Sequence, residues 1–449
     1  MPGIRASVLD ALSFCNPRHE ALRTLSDIQW ITLLTNWDTA RLTLLLRQTC
    51  GDELPDWVKS RLDRYLSDNA LRFERITTDY SNVAHALTRA GAEFVVLKGF
   101  TLWPGYAEHP RFRPQNDVDL YCPPESIFRA RDALAALGYE PSEVGEHLPK
   151  DHLPAMVRKT QWEWRGNLFD PDIPVSFELH SCFWNETVMH FCPSGLDQFW
   201  SRRGERQLDG ICFPALNPVD NLAFTSLNVL RDLLLGSPAA EQVYGVARFL
   251  HTNANNHRFW TEWRELHDDS LRRLEAISFR VAFDWFACRV SESVQEEINR
   301  LPTAVQIWFQ DFGNSLRNSR FPRNKDGLWL NLALVESFTD KMAVLARRLV
   351  NFPIKVPTFA SLNIRDSSRG SASSPILLLS KTAKYLGWFL SRVIYQLRTL
   401  PTTFGRGIRY WLSIKTVSRH FWTFLATFTK RAGKFGFLMA LLGKGRSWR

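Results

Sequence analysis

Asp117 and Asp119, in the stretch Arg113-Pro-Gln-Asn-Asp-Val-Asp-Leu-Tyr121, are two carboxylates separated by one apolar residue. The stretch reads as a strand, where residues two apart share a face, so both carboxylates point one way while Val118 and Leu120 enter a core. Like charges held about 7 Å apart along a backbone repel, and a hard, oxygen-seeking cation such as Mg²⁺ between their oxygens removes that repulsion. A solvated strand edge is the plain alternative for a bare Asp-x-Asp. Val175-Ser-Phe-Glu-Leu-His180 shifts the balance: it alternates cleanly, with Val175, Phe177 and Leu179 on one face and Ser176, Glu178 and His180 on the other. A third carboxylate is thereby available.

Positioning these groups needs particular elements. Glu93-Phe-Val-Val-Leu-Lys-Gly99 is a short β-prone run stopped by a glycine, which predicts a buried strand ending in a turn where backbone can approach a phosphate. Between the carboxylate strands, Pro124 to Gly138 predicts a helix, with Pro near its first turn, an apolar stripe at Ile127, Phe128, Leu134 and Leu137, and a glycine stop. Gln207 to Phe213 predicts one further edge strand. Helical periodicity dominates both flanks, including Trp37 to Leu46, Trp57 to Leu71 and Leu71 to Ala90 before the core. After Pro218, Trp260, Trp263, Phe279, Phe283, Trp285 and Phe286 fill apolar stripes and are assigned to packing.

Strand, glycine turn, Asp-x-Asp strand, helix and acid-bearing strand, in this order, resemble the nucleotidyltransferase fold of the DNA polymerase beta superfamily. The closer resemblance is to a family of nucleotidyltransferases whose core reads Leu-Lys-Gly, Arg-Pro-x-x-Asp-x-Asp-Leu, Leu-x-x-Leu-Gly-Tyr and Glu-Leu-His. Those motifs stand here as Leu97-Lys98-Gly99, Arg113 to Leu120, Leu134 to Tyr139 and Glu178-Leu179-His180. The resemblance implies transfer of a nucleoside monophosphate from a triphosphate to an acceptor. Asp117, Asp119 and Glu178 would be the catalytic acids and ligands of Mg²⁺, with Mn²⁺ as the alternative ion, and Glu178 has a second possible role as general base. Lys98, Gly99 and Arg113 are expected beside the triphosphate, since a guanidinium fork suits phosphate oxygens. His180 either orients an acceptor or is a buried, hydrogen-bonded histidine. His152 is a further site candidate, and His147 is expected at the surface. The superfamily usually has a serine after its glycine; Phe100 and Thr101 stand here, which leaves a phosphate contact from that position open. Relatives carry His and Asp where this chain has Asn228 and Gly245, positions implied to serve the acceptor pocket.

The expected fold class is α+β, a small mixed-sheet core over 91–216 with helical regions over 1–90 and 217–352. A linker over 353–376 and a basic aromatic amphipathic tail over 377–449 follow. Seven cysteines without C-x-x-C spacing argue against a disulfide framework and for a reducing compartment. The N-terminus lacks the apolar run of a secretory signal, so a cytoplasmic protein is expected. Residues 367–449 hold fifteen Lys or Arg and no acid, leaving 41 basic against 46 acidic residues in the rest of the chain. The net charge of +10 therefore lives in the tail. Its lysines and arginines interrupt any run long enough to span a bilayer. An anionic membrane surface is the expected partner, placing the protein at the inner face of a membrane, with nucleic acid the weaker alternative. The rival functions are a catalytically silent scaffold and an RNA-directed, toxin-like nucleotidyltransferase. The acceptor, the preferred base and the oligomeric state are not legible.

Overall fold

The computed structural model describes residues 2–142, 151–236, 238–318, 325–349, 394 and 397–414. The fold is α+β, as expected, with a seven-stranded mixed sheet among helices. The strands are β1 (Val95–Leu97), β2 (Asp117–Tyr121), β3 (Tyr139–Pro141), β4 (Met156–Arg158), β5 (Ser176–His180), β6 (Gly204–Leu208) and β7 (Ile211–Ala215). Their spatial order is β3-β4-β5-β2-β1-β7-β6. β2 runs parallel to β5 and β1 parallel to β7, and the other neighbours are antiparallel.

Alternation divides the sheet into two faces. Val96, Val118, Leu120, Phe177 and Leu179 are fully buried in a core shared with Phe73, Ile76, Tyr80, Val83 and Leu87 of the Asp56–Arg89 helix and with Ile127, Ala130 and Leu134 of the Ile127–Ala136 helix. The opposite face carries the polar residues of β2 and β5. Val95 and Leu97 of β1 point that way, into a second core that joins the N-terminal helices to those following Asn217. The polar face therefore lies under helices rather than open to bulk water.

Several local expectations are corrected. The Trp37–Leu46 pattern is not one helix: Asp27–Ala40 ends where Arg41 turns left-handed at φ 59°, and Thr43–Cys50 begins anew. Phe128, assigned to an apolar stripe, is 56% exposed, with the Arg131 guanidinium 5.2 Å from its ring centre. Phe283 is likewise exposed, whereas Trp260, Trp263, Phe279, Trp285 and Phe286 are buried. Gln207–Phe213 is a hairpin of two strands rather than one, turning at Asp209 and Gly210 with φ of 48° and 81°, the backbone that Asp-Gly favours. β3 and β4 were not anticipated; at three residues each they are too short to show a period.

The proposed linker over 353–376 lies outside the described residues, as do His147 and most of the tail. Residues 397–413 of the tail form a helix. No described helix is long and apolar enough to cross a membrane.

Candidate active site

Parallel pairing sets Asp119 of β2 directly beside Glu178 of β5, and Asp117 beside Ser176. Because both strands carry their polar residues on one face, the two carboxylates and His180 converge. Asp119, Glu178 and His180 each offer a ligand atom, and these atoms lie within 4.8 Å of one another. Asp117 sits two residues earlier along β2 and is less deeply buried than Asp119. His180 Nε2 is 2.9 Å from Asp119 Oδ1 and 3.8 Å from Glu178 Oε2. On its other side, His180 Nδ1 is 3.9 Å from Asp151 Oδ2. His152 pairs with His180 in an isolated β-bridge, and its Nε2 lies 3.9 Å from Glu178 Oε2.

Lys98 reaches this face by an unusual backbone route. After Leu97, alternation would send its side chain to the other side of the sheet. Lys98 instead adopts φ 52° and ψ −151°, a region that non-glycine residues seldom occupy. Its ammonium donates to Asp119 Oδ1 at 2.7 Å. Gly99 follows at φ 46°, where a Cβ would run into the Gln115 amide, so glycine is required by conformation and by space. Phe100 enters the core beneath the sheet. The Thr101 hydroxyl donates to the Lys98 carbonyl at 2.9 Å and lies 3.2 Å from Asn221 Oδ1. Phe100 and Thr101 are thus both engaged internally.

Electrostatics follow from this crowding. Burial opposes the charge of Asp119, but Lys98 and His180 outweigh it and hold the carboxyl far below the ordinary range. Burial, then the neighbouring Asp119 and Asp117, push Glu178 well above the ordinary range. Lys98 is buried at a cost to its charge, and Asp119 and Asp117 still raise its pKa against opposition from Arg231. Arg231, on the Pro218–Leu234 helix, lies 3.6 Å from Asp151 and 3.3 Å from Asp232. A lysine and an arginine from different elements therefore flank the acids. Neither Arg231 nor Asp151 was singled out in the sequence, although an arginine inside an otherwise buried helix stretch was a readable signal.

Arg72, fully buried on the Asp56–Arg89 helix, was also missed. It donates to the carbonyls of Gln115 at 2.7 Å and Ile173 at 2.6 Å, tying together the segments that lead into β2 and β5.

A cavity of about 410 Å³ opens beside Lys98, between the N-terminal helices, the loop after β1 and the helices Pro218–Leu234 and Ala240–Thr252. Lys98, Arg113, Arg41 and Arg248 bring positive charge to its wall, while Phe14, Leu102 and Tyr244 make apolar surface. Arg113 pairs there with the buried Glu241. Asn228 and Gly245 also line it. The expected residues thus fall into two adjoining groups: Asp117, Asp119, Glu178, His180 and His152 on the strand face, and Arg113 across the cavity, with Lys98 in both.

Two carboxylates and an imidazole at this spacing are a donor set suited to a divalent cation, and the Lys98 ammonium stands where positive charge is needed. None of the curated proteins and none of the solved structures gives a match. The model of the family described as uncharacterised nucleotidyltransferase matches residues 26–287, the span that holds β1 to β7, the acids and the Pro218–Leu234 and Ala240–Thr252 helices beside the cavity, and the chain belongs to that family.

Proposed function

We propose that this protein transfers a nucleoside monophosphate from a nucleoside triphosphate to an acceptor, with the wider DNA polymerase beta-like arrangement at its centre. Asp119 and Glu178, with Asp117 beside them, would hold Mg²⁺ or Mn²⁺, which supplies charge neutralisation for the polyphosphate and a lowered pKa for the acceptor. The observation that carries this reading is the in-register pairing of Asp119 and Glu178 on parallel strands, with a lysine already serving as their cation.

The chain's own groups have definite tasks in this reading. Lys98 stands between the acids and the cavity, so its ammonium serves the acids in their absence of substrate and the phosphates in its presence. Arg113 and Arg231 add positive charge on either side, and charge placed in advance is the main way a protein accelerates phosphoryl chemistry. His180, held between Asp119 and Asp151, keeps the Asp119 carboxylate oriented; His152 does the same for Glu178. The nucleotide occupies the cavity with its phosphates toward Lys98, and Asn228 and Gly245 on the same wall bring the acceptor there. We assign 91–216 to the catalytic core and the helical regions on either side to the cavity walls.

A second reading has its own support. Asp119 is already paired with the Lys98 ammonium and hydrogen-bonded to His180, as expected of a silent relative that keeps these contacts for folding. One experiment separates the two. Purified protein is incubated in cell extract with each α-labelled nucleoside triphosphate and Mg²⁺, beside Asp117→Asn/Asp119→Asn. Label transfer that disappears in the double variant supports the enzyme; no transfer with any nucleotide supports the scaffold.

A further inference from the structure

The helix over 397–413 has two faces with different partners. Thr399, Thr403, Gly407, Tyr410 and Ile414 turn inward, and all but Gly407 are at most 4% exposed. The Tyr410 hydroxyl donates to the Ala304 carbonyl at 2.9 Å. Arg406 forms a bidentate pair with the fully buried Asp326, both contacts at 2.9 Å. Gly407 lies so close to the Trp329 indole that a Cβ would overlap it. This helix is anchored to the helical body by packing and by a charge pair.

Its outward face is apolar. Leu397, Phe404, Ile408 and Leu412 are 58%, 43%, 56% and 60% exposed. Steps of seven, four and four residues put them in one line along the helix, on the side away from the anchor. Arg398 and Arg409, both exposed, border the line on one side. Scattered exposed hydrophobics are ordinary, but a continuous stripe bordered by arginines is a surface built to be covered.

We propose that this stripe docks the protein on an anionic lipid bilayer, lying in the interface with Leu397, Phe404, Ile408 and Leu412 among the acyl chains. The charge of the surrounding chain selects that occupant. Fifteen Lys or Arg and no acid lie beyond residue 366, a balance that favours anionic headgroups over a second copy of the same basic segment. The anchor through Arg406 and Tyr410 then fixes which side of the catalytic body faces the lipid. The inference is independent of nucleotidyl transfer.

Flotation of the full-length protein with vesicles tests it, using phosphatidylcholine alone and phosphatidylcholine containing about a third phosphatidylserine. Wild type is expected to float with the anionic vesicles and to be released by high salt. The variant L397S/F404S/I408S/L412S changes only exposed side chains; it should keep its unfolding temperature and lose about a hundredfold or more in partitioning. R398Q/R409Q should lose about thirtyfold on anionic vesicles and nothing on neutral ones. Unchanged flotation of the quadruple variant overturns the proposal. So does a wild type that ignores vesicles while shifting RNA, or one that dimerises through this stripe.

Discussion

Replacing Lys98 by methionine keeps most of the buried stem and removes the ammonium from Asp119. At 2.7 Å and an effective dielectric of about 20, the attraction lost is about 6 kcal/mol. Part is returned because no ammonium has to be desolvated, and breaking one side of a buried pair costs about 3–5 kcal/mol in general. Asp119 still accepts from His180, which places the expected loss near the lower end, about 3 kcal/mol. In a chain of this length that is roughly 3 °C in unfolding temperature. The informative part is what a divalent cation does. If the acids form a cation site with Lys98 as the internal substitute, millimolar Mn²⁺ supplies the charge the variant lacks. The deficit measured in EDTA should then shrink by more than half in Mn²⁺, because the folded state alone presents the site. The assay is thermal unfolding of both proteins under both conditions. A K98M protein as stable as wild type in EDTA, or one with the same deficit in Mn²⁺, refutes the reasoning.

Three further outcomes follow from the geometry. His267 is completely buried between Asp220 and Glu275, with Nε2 at 3.2 Å and Nδ1 at 2.9 Å from their oxygens. Burial opposes its charge, yet Glu275 and Asp220 raise its pKa to about 9. A folded pKa above the unfolded value near 6.5 means the stabilisation is complete below about pH 6.5 and is lost as pH rises through about 9, amounting to about 3 kcal/mol; denaturant titrations of wild type and H267Q should converge across that window. Gly99→Ala places a Cβ against Gln115 in a left-handed backbone and should cost about 2 kcal/mol, measured by denaturant midpoint, with nucleotide affinity falling alongside. Arg406→Ala leaves Asp326 buried without its bidentate partner; a loss of about 3 kcal/mol and faster proteolytic cleavage within 397–413 are expected.

Much of the sheet was legible because strand alternation is a local property. Five residues of β2 and six around β5 were enough to predict which side chains share a face, and their parallel pairing brings Glu178 beside Asp119. The role of Lys98 at Asp119 was not legible, because it depends on a positive φ that a lysine rarely adopts. The His180 contacts join residues about sixty and thirty positions apart, and Arg231 arrives from a helix outside the sheet, so neither leaves a local pattern. The β6–β7 turn was legible and overlooked: Asp209-Gly210 between two apolar-polar runs is a hairpin signal. Phe128 and Phe283 were misassigned because periodicity names a stripe without showing where its edge meets solvent. The cavity has no sequence signature at all, since its walls come from the N-terminal helices, the loop after β1 and two later helices.

The central claim is that Asp119 and Glu178 bind a divalent cation together with the phosphates of a nucleotide. Electron paramagnetic resonance of free Mn²⁺, titrated with protein and a non-hydrolysable nucleoside triphosphate analogue, reads this directly. Wild type should deplete the free-ion signal, far more strongly with the analogue than without it, and D119N and E178Q should deplete it no more than analogue alone. Equal depletion by wild type and both variants would contradict the account.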